Sequence, residues 1–436
     1  MREIISIHVG QAGNRMGQKF WQVISNEHGI SPAGEFQGQS NMQIERISVY
    51  YNESSEGRYV PRAILTDLEG ATIQSVLKGS YGCLFDADKT AFGNSGASNN
   101  FAKGYFSDGV PVADNVLDLV RREVEQCDHL QGFQILHASG GGAGSGLGSL
   151  LLNLLKTEFD DRILATFTVF PSPKVSDVVV EPYNTLMTLK NIAESSDETF
   201  VLDNEALFDI CFRKLHLKTP SLADLNHLIS LVMSGCTAGF RFPGQLNMDL
   251  RKLAVNMIPF PAMIFLIPAF APLISAFDQK YKSISVPHLV QEIFNVDNLM
   301  LSGVHQPPLG KYITCTAMFR GRMSTFEIME QMFNIQERNP NRFINWMPQQ
   351  VCTTSLCDIA QQCFKINSTL LTNTTSITKL FERVRSQYSG LFKRKAFTHW
   401  YIGEGMNESD FVEAGHKIGD LINLYSTMEA LDRNIN

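Results

Sequence analysis

The feature that most constrains this chain is a run of glycine and serine between two apolar segments. Residues 133–138 are strand-like, residues 139–146 read Ser-Gly-Gly-Gly-Ala-Gly-Ser-Gly, and residues 147–155 have the composition of an apolar helix. Such a loop lets backbone amides approach phosphate oxygens closely, and the start of the following helix adds a partial positive charge. A flexible linker is the alternative, but a linker is not expected between two buried elements. The run therefore predicts a phosphate-binding loop.

The loop matches neither of two common nucleotide motifs. The sequence has no G-x4-G-K-[ST] loop, and the run is not a G-x-G-x-x-G fingerprint with an acidic residue about 20 positions further on. A dinucleotide-dependent oxidoreductase is therefore the weakest hypothesis. Because the run contains no Lys or Arg, the negative charge of the phosphates has to be neutralised by backbone amides, the helix start and a cation. Gln11 and Glu69 are the plausible neighbours of that cation, a Mg²⁺ ion that keeps several waters.

Strand-like segments alternate with helical patterns in the first half of the chain. The strand-like segments cover residues 4–9, 63–66, 133–138, 164–170 and 199–202. This alternation predicts an α/β fold with a doubly wound parallel sheet and right-handed crossovers. Polar residues follow these strands or lie in loops between elements, among them Gln11, Glu69, Asn99, Asp177 and Asn204. Ligands of open α/β sheets bind at the carboxyl ends of the strands, so these residues are expected to converge there.

The second half of the chain has a different pattern. Ser221 followed by Asp224 predicts the start of a long, buried central helix that ends near residue 239. Strand-like runs at 264–267, 313–319, 351–356 and 365–370 predict a second domain with a mixed sheet, and the pattern is mainly helical from residue 376. We therefore predict a nucleotide-binding domain (1–204), a core helix region (205–242), an intermediate mixed-sheet domain (243–375) and a C-terminal helical region (376–436).

Charge and apolar patterning exclude some classes of function. The formal net charge of −7 and pI of 5.8 disfavour a general binder of nucleic acid or anionic membranes. Residues 253–277 carry no charge, but four prolines interrupt them, so a buried strand near 263–267 is expected instead of a membrane span. The eight cysteines include no CxxC pair and no zinc spacing, which predicts reduced thiols in a cytosolic protein. No secretory signal is visible at the N-terminus.

The glycine run resembles the signature of the tubulin family, in which the position of Ala143 is normally threonine. The resemblance extends in register over residues 1–425. Its other blocks are residues 1–4, 46–52, 59–63, 171–177, 180–184, 203–206, 224–227, 241–247 and 394–401. Within the family the chain is similar to β-tubulin, since its first four residues are β-like and Lys252 stands where α-tubulin carries a catalytic glutamate.

This resemblance implies a GTP-binding subunit that pairs with α-tubulin and assembles head to tail into microtubules, with lateral contacts between like subunits. It also implies a place in the cytoplasmic cytoskeleton and no nucleic-acid or membrane partner. The loop at residues 245–252 would face the nucleotide of a partner α subunit, where Lys252 cannot activate water because an ammonium group is a poor general base. This chain would supply no catalytic residue for its own GTP, which a glutamate of the next α subunit would help to hydrolyse.

The resemblance also assigns roles to individual residues. Gln11, Glu69, Asn99, Gly142 and Gly144 would contact the phosphates of GTP or GDP or the Mg²⁺ ion, with Glu69 as the metal-binding residue. Asp177 and Glu181 would lie near the ribose. Asn204 and Asn226 would read the guanine edge, since paired amides offer both donors and acceptors.

Several positions depart from the family pattern. Ala143 lacks the threonine hydroxyl, and Leu222 replaces an aromatic residue that stacks on guanine. Ser98 replaces a glycine in the loop 95–100, which the resemblance places beside the terminal (γ) phosphate, and Gly70-Ala71 replaces Pro-Gly. These changes predict weaker or faster-exchanging nucleotide, or slower hydrolysis. The long acidic tail of the family is not expected here, and residues 276–278 alter the charge of the segment 272–282 that would make lateral contacts. The alternative is therefore a specialised homologue that binds GTP structurally and caps or modifies filaments.

Overall fold

The computed structural model describes residues 2–434 except 39, 55, 245–247, 275–283, 305–309, 345, 347–351 and 362–363. Its strands are β1 (Glu3–Val9), β2 (Tyr51–Glu53), β3 (Tyr59–Pro61), β4 (Ala63–Asp67), β5 (Thr90–Phe92), β6 (Leu130–Ala138), β7 (Ile163–Phe170), β8 (Glu198–Asp203), β9 (Phe265–Ala271), β10 (Tyr312–Arg320), β11 (Cys352–Cys357) and β12 (Asn367–Thr374). Its helices are α1 (Gly10–His28), α2 (Gly70–Leu77), α3 (Gly109–Glu125), α4 (Gly148–Glu158), α5 (Glu181–Ser195), α6 (Asn204–Arg213), α7 (Leu222–Arg241), α8 (Leu250–Met257), α9 (Val286–Ile293), α10 (Thr325–Arg338), α11 (Thr378–Phe392), α12 (Thr398–Ile402) and α13 (Glu408–Asn434).

One large sheet organises the described part of the chain. Its strand order is β11-β10-β12-β9-β8-β7-β6-β1-β4-β5, while β2 and β3 form a separate pair. Neighbouring strands from β9 to β5 are all parallel, whereas β12 runs antiparallel to β9 and β10. The predicted fold class, a parallel α/β sheet followed by a mixed sheet and a helical C-terminal region, is confirmed. The predicted domain boundaries stay predictions, and β8 pairs directly with β9 across two of them.

Apolar side chains cover both faces of the sheet. Ile5 and Ile7 of β1 pack in one cluster with α3, α4, α5, α11 and α13, while Ile4 faces a second cluster with α1 and α7. This alternation follows from the two-residue period of a strand, which sends successive side chains to opposite faces. Every residue of β1 and β7 is buried, as expected of parallel strands covered by helices on both sides.

The core helix α7 begins as predicted. Ser221 and Asp224 form a reciprocal capping box at its first turn, and most of its length is buried. An ion network near its far end joins three elements. Glu27 of α1 accepts from Arg241 of α7 at 2.8 Å and from Arg320 of β10 at 3.1 Å, and Ser234 donates to Glu27 at 2.6 Å. The network therefore ties the first helix and the core helix to the mixed part of the sheet.

Three local predictions need correction. A single π-helical turn, Ala143–Leu147, runs directly into α4, so half of the glycine run is helical. The predicted strand at 263–267 continues to Ala271, and Pro268 lies within it with its carbonyl accepting from the amide of Met300. The strand predicted at 365–370 is β12, which is shifted toward the C-terminus.

The prediction of reduced thiols is also wrong for one pair of cysteines. Cys315 and Cys352 form a disulfide, because the register of β10 and β11 places them directly opposite each other. The other cysteines of the described residues are free. None of the helices in the described ranges combines the length and apolar character that crossing a bilayer requires. Residues 275–282 of the segment expected to make lateral contacts, 272–282, lie outside the described residues.

Candidate functional site

A cleft of about 320 Å³ opens at the carboxyl ends of three neighbouring strands. Val9, Asp67 and Ala138, the last residues of β1, β4 and β6, all line it. The structure brings together five of the sequence-predicted residues in this cleft: Gln11, Glu69, Asn99, Gly142 and Gly144. Ser98 and Ala143, two of the departures from the family pattern, line it as well. We call this space the glycine cleft.

Two helix starts lie side by side in the glycine cleft because glycines let them approach. Gly10 begins α1 with a φ of +73°, and a Cβ at this position would lie 2.9 Å from the backbone nitrogen of Gly144. A Cβ on Gly144 would lie 2.6 Å from the carbonyl oxygen of Ala138. In the described part of the chain, no side chain caps either helix start. Their amides and partial positive charges are therefore suited to an anion such as a phosphate.

A buried histidine on β6 is hydrogen-bonded to the backbone of the glycine run. His137 lies within hydrogen-bond distance of the carbonyl oxygen of Gly144 and of the hydroxyl of Thr168, each at 2.9 Å. Burial lowers the pKa of His137 to about 4. The ring is thus neutral at physiological pH, where it donates to Gly144 through Nδ1 and accepts from Thr168 through Nε2.

Two carboxyl groups line the glycine cleft near the end of β4. Burial raises the pKa of Asp67 to about 6, although its Oδ1 accepts from the amide of Leu68 at 2.8 Å. Glu69 is exposed, and Gly96 packs so closely that a Cβ there would overlap the Glu69 carboxylate. Among the described residues, no group of three or more His, Cys, Asp or Glu is arranged to hold a metal ion. The donors present nevertheless suit Mg²⁺, which binds one or two carboxylates together with phosphate oxygens and water.

A second cleft of about 250 Å³ contains both residues predicted for the ribose. Asp177 and Glu181 line it, and Ser176 donates to Glu181 at 2.6 Å. Burial raises the pKa of Glu181. The second cleft lies beside the glycine run, since a Cβ on Gly140 would lie 3.2 Å from Oε1 of Glu181. The other wall is formed by Val384 and Gln387 of α11, which the sequence did not indicate because they lie some 200 residues further along the chain.

The two asparagines predicted to read the base lie on neighbouring helices. Asn204 is the first residue of α6, Asn226 lies in α7, and these two helices pack against each other. Both side chains are half-buried, and neither lines the two clefts described above. Leu222, at the start of α7, is 59% exposed.

An arginine that the sequence analysis missed fixes the strand end beside Asn204. Arg383 of α11 donates to both carboxylate oxygens of Asp203, at 3.1 and 3.2 Å, and to Glu205 at 3.0 Å. Glu205 also accepts from Ser172, in the segment that leads to Asp177. Charge-assisted bonds of this kind are stronger than neutral ones, so α11 holds the ends of both β7 and β8 in place.

Lys252 lies at the opposite edge of the parallel sheet from the glycine cleft. It is exposed on α8, whose first residue, Leu250, packs beside Gly132 near the start of β6. Asp249, which precedes α8, forms an ion pair with Arg2 near the start of β1. Strand starts and strand ends are on opposite edges of a parallel sheet, so α8 and the cleft face away from each other. Residues 245–247 of the same predicted segment lie outside the described residues.

Comparison with known protein families agrees with this arrangement. Residues 3–212 match the model of the Tubulin/FtsZ family, GTPase domain. Residues 261–386 match the model of the tubulin C-terminal domain. The first match contains the glycine cleft and the residues predicted for phosphate and ribose, and it implies GTP and GDP as ligands.

Proposed function

Because the chain belongs to the tubulin family, we propose that it is a β-tubulin-like GTP-binding subunit that pairs with α-tubulin. In this proposal the pairs assemble head to tail into microtubules or related filaments, with lateral contacts to like subunits, in the cytoplasmic cytoskeleton. The observation that carries the proposal is the position of α8 and the glycine cleft at opposite edges of one parallel sheet. Head-to-tail contacts, which use a different surface at each end of the subunit, generate open filaments when the rotation does not close.

In the proposed complex, the glycine cleft holds the phosphates of GTP. Amides at Gly142, Gly144 and the start of α1 meet the phosphate oxygens, and Gln11 and Asn99 supply polar side chains. Mg²⁺ would neutralise part of the phosphate charge, with Glu69 as its protein ligand and Asp67 beside it. Asp177 and Glu181 would contact the ribose, and Asn204 and Asn226 the guanine edge.

Hydrolysis is proposed to require a partner subunit. The glycine run itself contains no group that could accept a proton from water. A carboxylate of a docked α subunit would supply that group across the interface, where it would lie against the open cleft. Lys252, at the opposite edge of the parallel sheet, would face the nucleotide of its own α partner without activating water there.

The second candidate is a homologue that binds GTP structurally and caps or modifies filaments. Ala143 in the glycine cleft and the exposed Leu222 favour it, because each removes a contact that the family pattern supplies to nucleotide. Under this candidate, nucleotide binds but drives no polymer growth.

The first test is to extract nucleotide from the purified protein and identify it by chromatography. The proposal expects GTP or GDP that is released when Mg²⁺ is chelated, whereas ATP or NAD would contradict it. Electron microscopy of the protein mixed with α-tubulin and GTP then separates the two candidates. Growing filaments that contain both subunits support the first, and bound GTP without filament growth supports the second.

A further inference from the structure

Asn184 is a fully buried amide that joins both walls of the glycine cleft. It lies in the first turn of α5 with an exposed fraction of 0%. Its Nδ2 donates to the carbonyl oxygen of Asn99 at 2.7 Å and to that of Gly140 at 2.8 Å. Its Oδ1 accepts from the amide of Phe101 at 3.1 Å. One side chain therefore spans the loop that carries Asn99 and the glycine run.

The fourth hydrogen bond of Asn184 comes from the C-terminal helical region. Tyr401 of α12, which is 1% exposed, donates its hydroxyl to Oδ1 of Asn184 at 2.7 Å. The neighbouring carbonyl of Trp400 accepts from the side chain of Asn100 at 3.1 Å. Helix α12 is thus bonded to the Asn99 loop both directly and through Asn184. All four hydrogen-bonding positions of the Asn184 amide are occupied.

We infer that Asn184 and Tyr401 are positioning residues that set the spacing of the two loops around the nucleotide phosphates, an inference that rests on the proposed function. Asn184 does not line the glycine cleft, so it acts through the backbone of Asn99 and Gly140. The amide is oriented by one-way partners, because the carbonyls of Asn99 and Gly140 can only accept from Nδ2 and the amide of Phe101 can only donate to Oδ1. Tyr401 adds a second hydrogen bond to Oδ1 and so holds the side chain in this position.

The test uses two conservative variants of the full chain and a matched control for each. N184D keeps the size of the side chain but places an oxygen opposite two carbonyl oxygens. Y401F removes one hydroxyl and keeps the ring packed against Tyr183 and Phe411. The control N191D changes an asparagine of the same helix that donates to Met187, and Y388F removes a buried hydroxyl that donates to Phe411.

Dissociation rates of GTP and GDP and thermal midpoints are measured for all five proteins. Y401F is expected to release GTP roughly 3- to 10-fold faster than wild type, because the net free energy of one hydrogen bond corresponds to a rate ratio of about that size. N184D is expected to release GTP faster still. The increase is expected to be smaller for GDP, because Asn99 lies in the loop assigned to the terminal phosphate. N191D and Y388F are expected to lower the thermal midpoint about as much as N184D and Y401F do. Their GTP dissociation rates should nevertheless change less than about twofold.

Rates for Y401F and N184D that match wild type, or that rise only as much as those of the controls, would overturn the inference while leaving GTP binding intact. Equal increases for GTP and GDP would also overturn it. A wild-type protein that binds no guanine nucleotide would instead contradict the proposed function, and this inference with it.

Discussion

The backbone nitrogen of Gly144 lies 2.9 Å from the position that a Cβ on Gly10 would occupy. The two residues are 134 positions apart in sequence, and their contact brings the start of α1 against the π-helical turn before α4. No side chain larger than hydrogen fits between them. The shape of the glycine cleft thus depends on this one approach.

Gly10→Ala is therefore expected to lose GTP binding. The substitution adds the strain of a positive φ, about 1–2 kcal/mol, and a steric overlap of about 1–3 kcal/mol at the cleft. Gly57→Ala is the matched control, since Gly57 has a φ of +75° with nothing within 4 Å of its Cβ position. Equal effects of the two substitutions on unfolding and on nucleotide titration would contradict this account of the cleft.

Ser98→Gly is expected to stabilise the protein by about 0.5–1 kcal/mol. Ser98 has a φ of +49°, where a non-glycine residue is strained by about 1–2 kcal/mol, and the gain is reduced by the extra freedom of glycine in the unfolded chain. Asn94 lies in the same loop without a positive φ, so Asn94→Gly should lower stability. Chemical denaturation of both variants measures the difference, and a destabilising Ser98→Gly would show that the loop is unstrained.

Glu27→Gln is expected to destabilise the protein by about 3–5 kcal/mol, because two buried guanidinium groups lose their carboxylate. Burial alone would raise the pKa of Glu27, but Arg320 and Arg241 lower it from 4.5 to about 2. Because the folded-state pKa is lowered, this contribution is complete above pH 4.5 and is lost as pH falls through about 2. Wild-type stability should decline over that range, and the variant should lack that part of the decline.

A control for Glu27→Gln is Glu158→Gln, which removes an exposed ion pair with Arg121. Little change in the denaturation midpoint is expected for the control. If both variants behaved alike, the buried network would not link α1, α7 and β10 as described.

Restoring Ala143→Thr and Leu222→Tyr together is expected to tighten guanine nucleotide binding by roughly 2–4 kcal/mol at most. Ala143 lines the glycine cleft, where a hydroxyl could reach phosphate, whereas the exposed Leu222 begins α7 outside both clefts. The measurement is the rate of nucleotide release from each single variant and from the double variant, each in the dimer with α-tubulin. It separates the contribution of the position 143 substitution to nucleotide affinity from that of the position 222 substitution. Unchanged release in all three would mean that neither position contacts nucleotide.

Hydrophobic patterning was sufficient to predict β1, β6 and β7, because these strands are rich in apolar residues and are covered on both faces. Strand β12 was displaced in the prediction because its last three residues, Thr372–Thr374, are polar although the whole strand is buried. Thr372 and Asn373 are buried through hydrogen bonds to the carbonyls of Ile267 and Met263, which no apolar pattern reveals. The Cys315–Cys352 disulfide was missed for a similar reason, since it depends on the register of two strands that meet only in the folded chain.

The residues that line the glycine cleft could be predicted to lie together because strand ends converge at one edge of a parallel sheet. Residues that act through other residues could not be found in this way. Asn184 bonds to carbonyls 44 and 85 positions away, and Arg383 reaches Asp203 from the C-terminal helical region. The partners of Asn184 and Arg383 are backbone atoms or carboxylates far away in the sequence. The residues next to them in the sequence therefore do not indicate these contacts.

We propose above that this subunit needs a partner to hydrolyse its GTP. Single-turnover GTP hydrolysis should be measured for the isolated, unassembled protein and for the same protein after assembly with α-tubulin. Hydrolysis is expected only after assembly, and it should be lost when the α subunit carries glutamine in place of its catalytic glutamate. Hydrolysis by the isolated protein at the rate of the assembled filaments would contradict the claim.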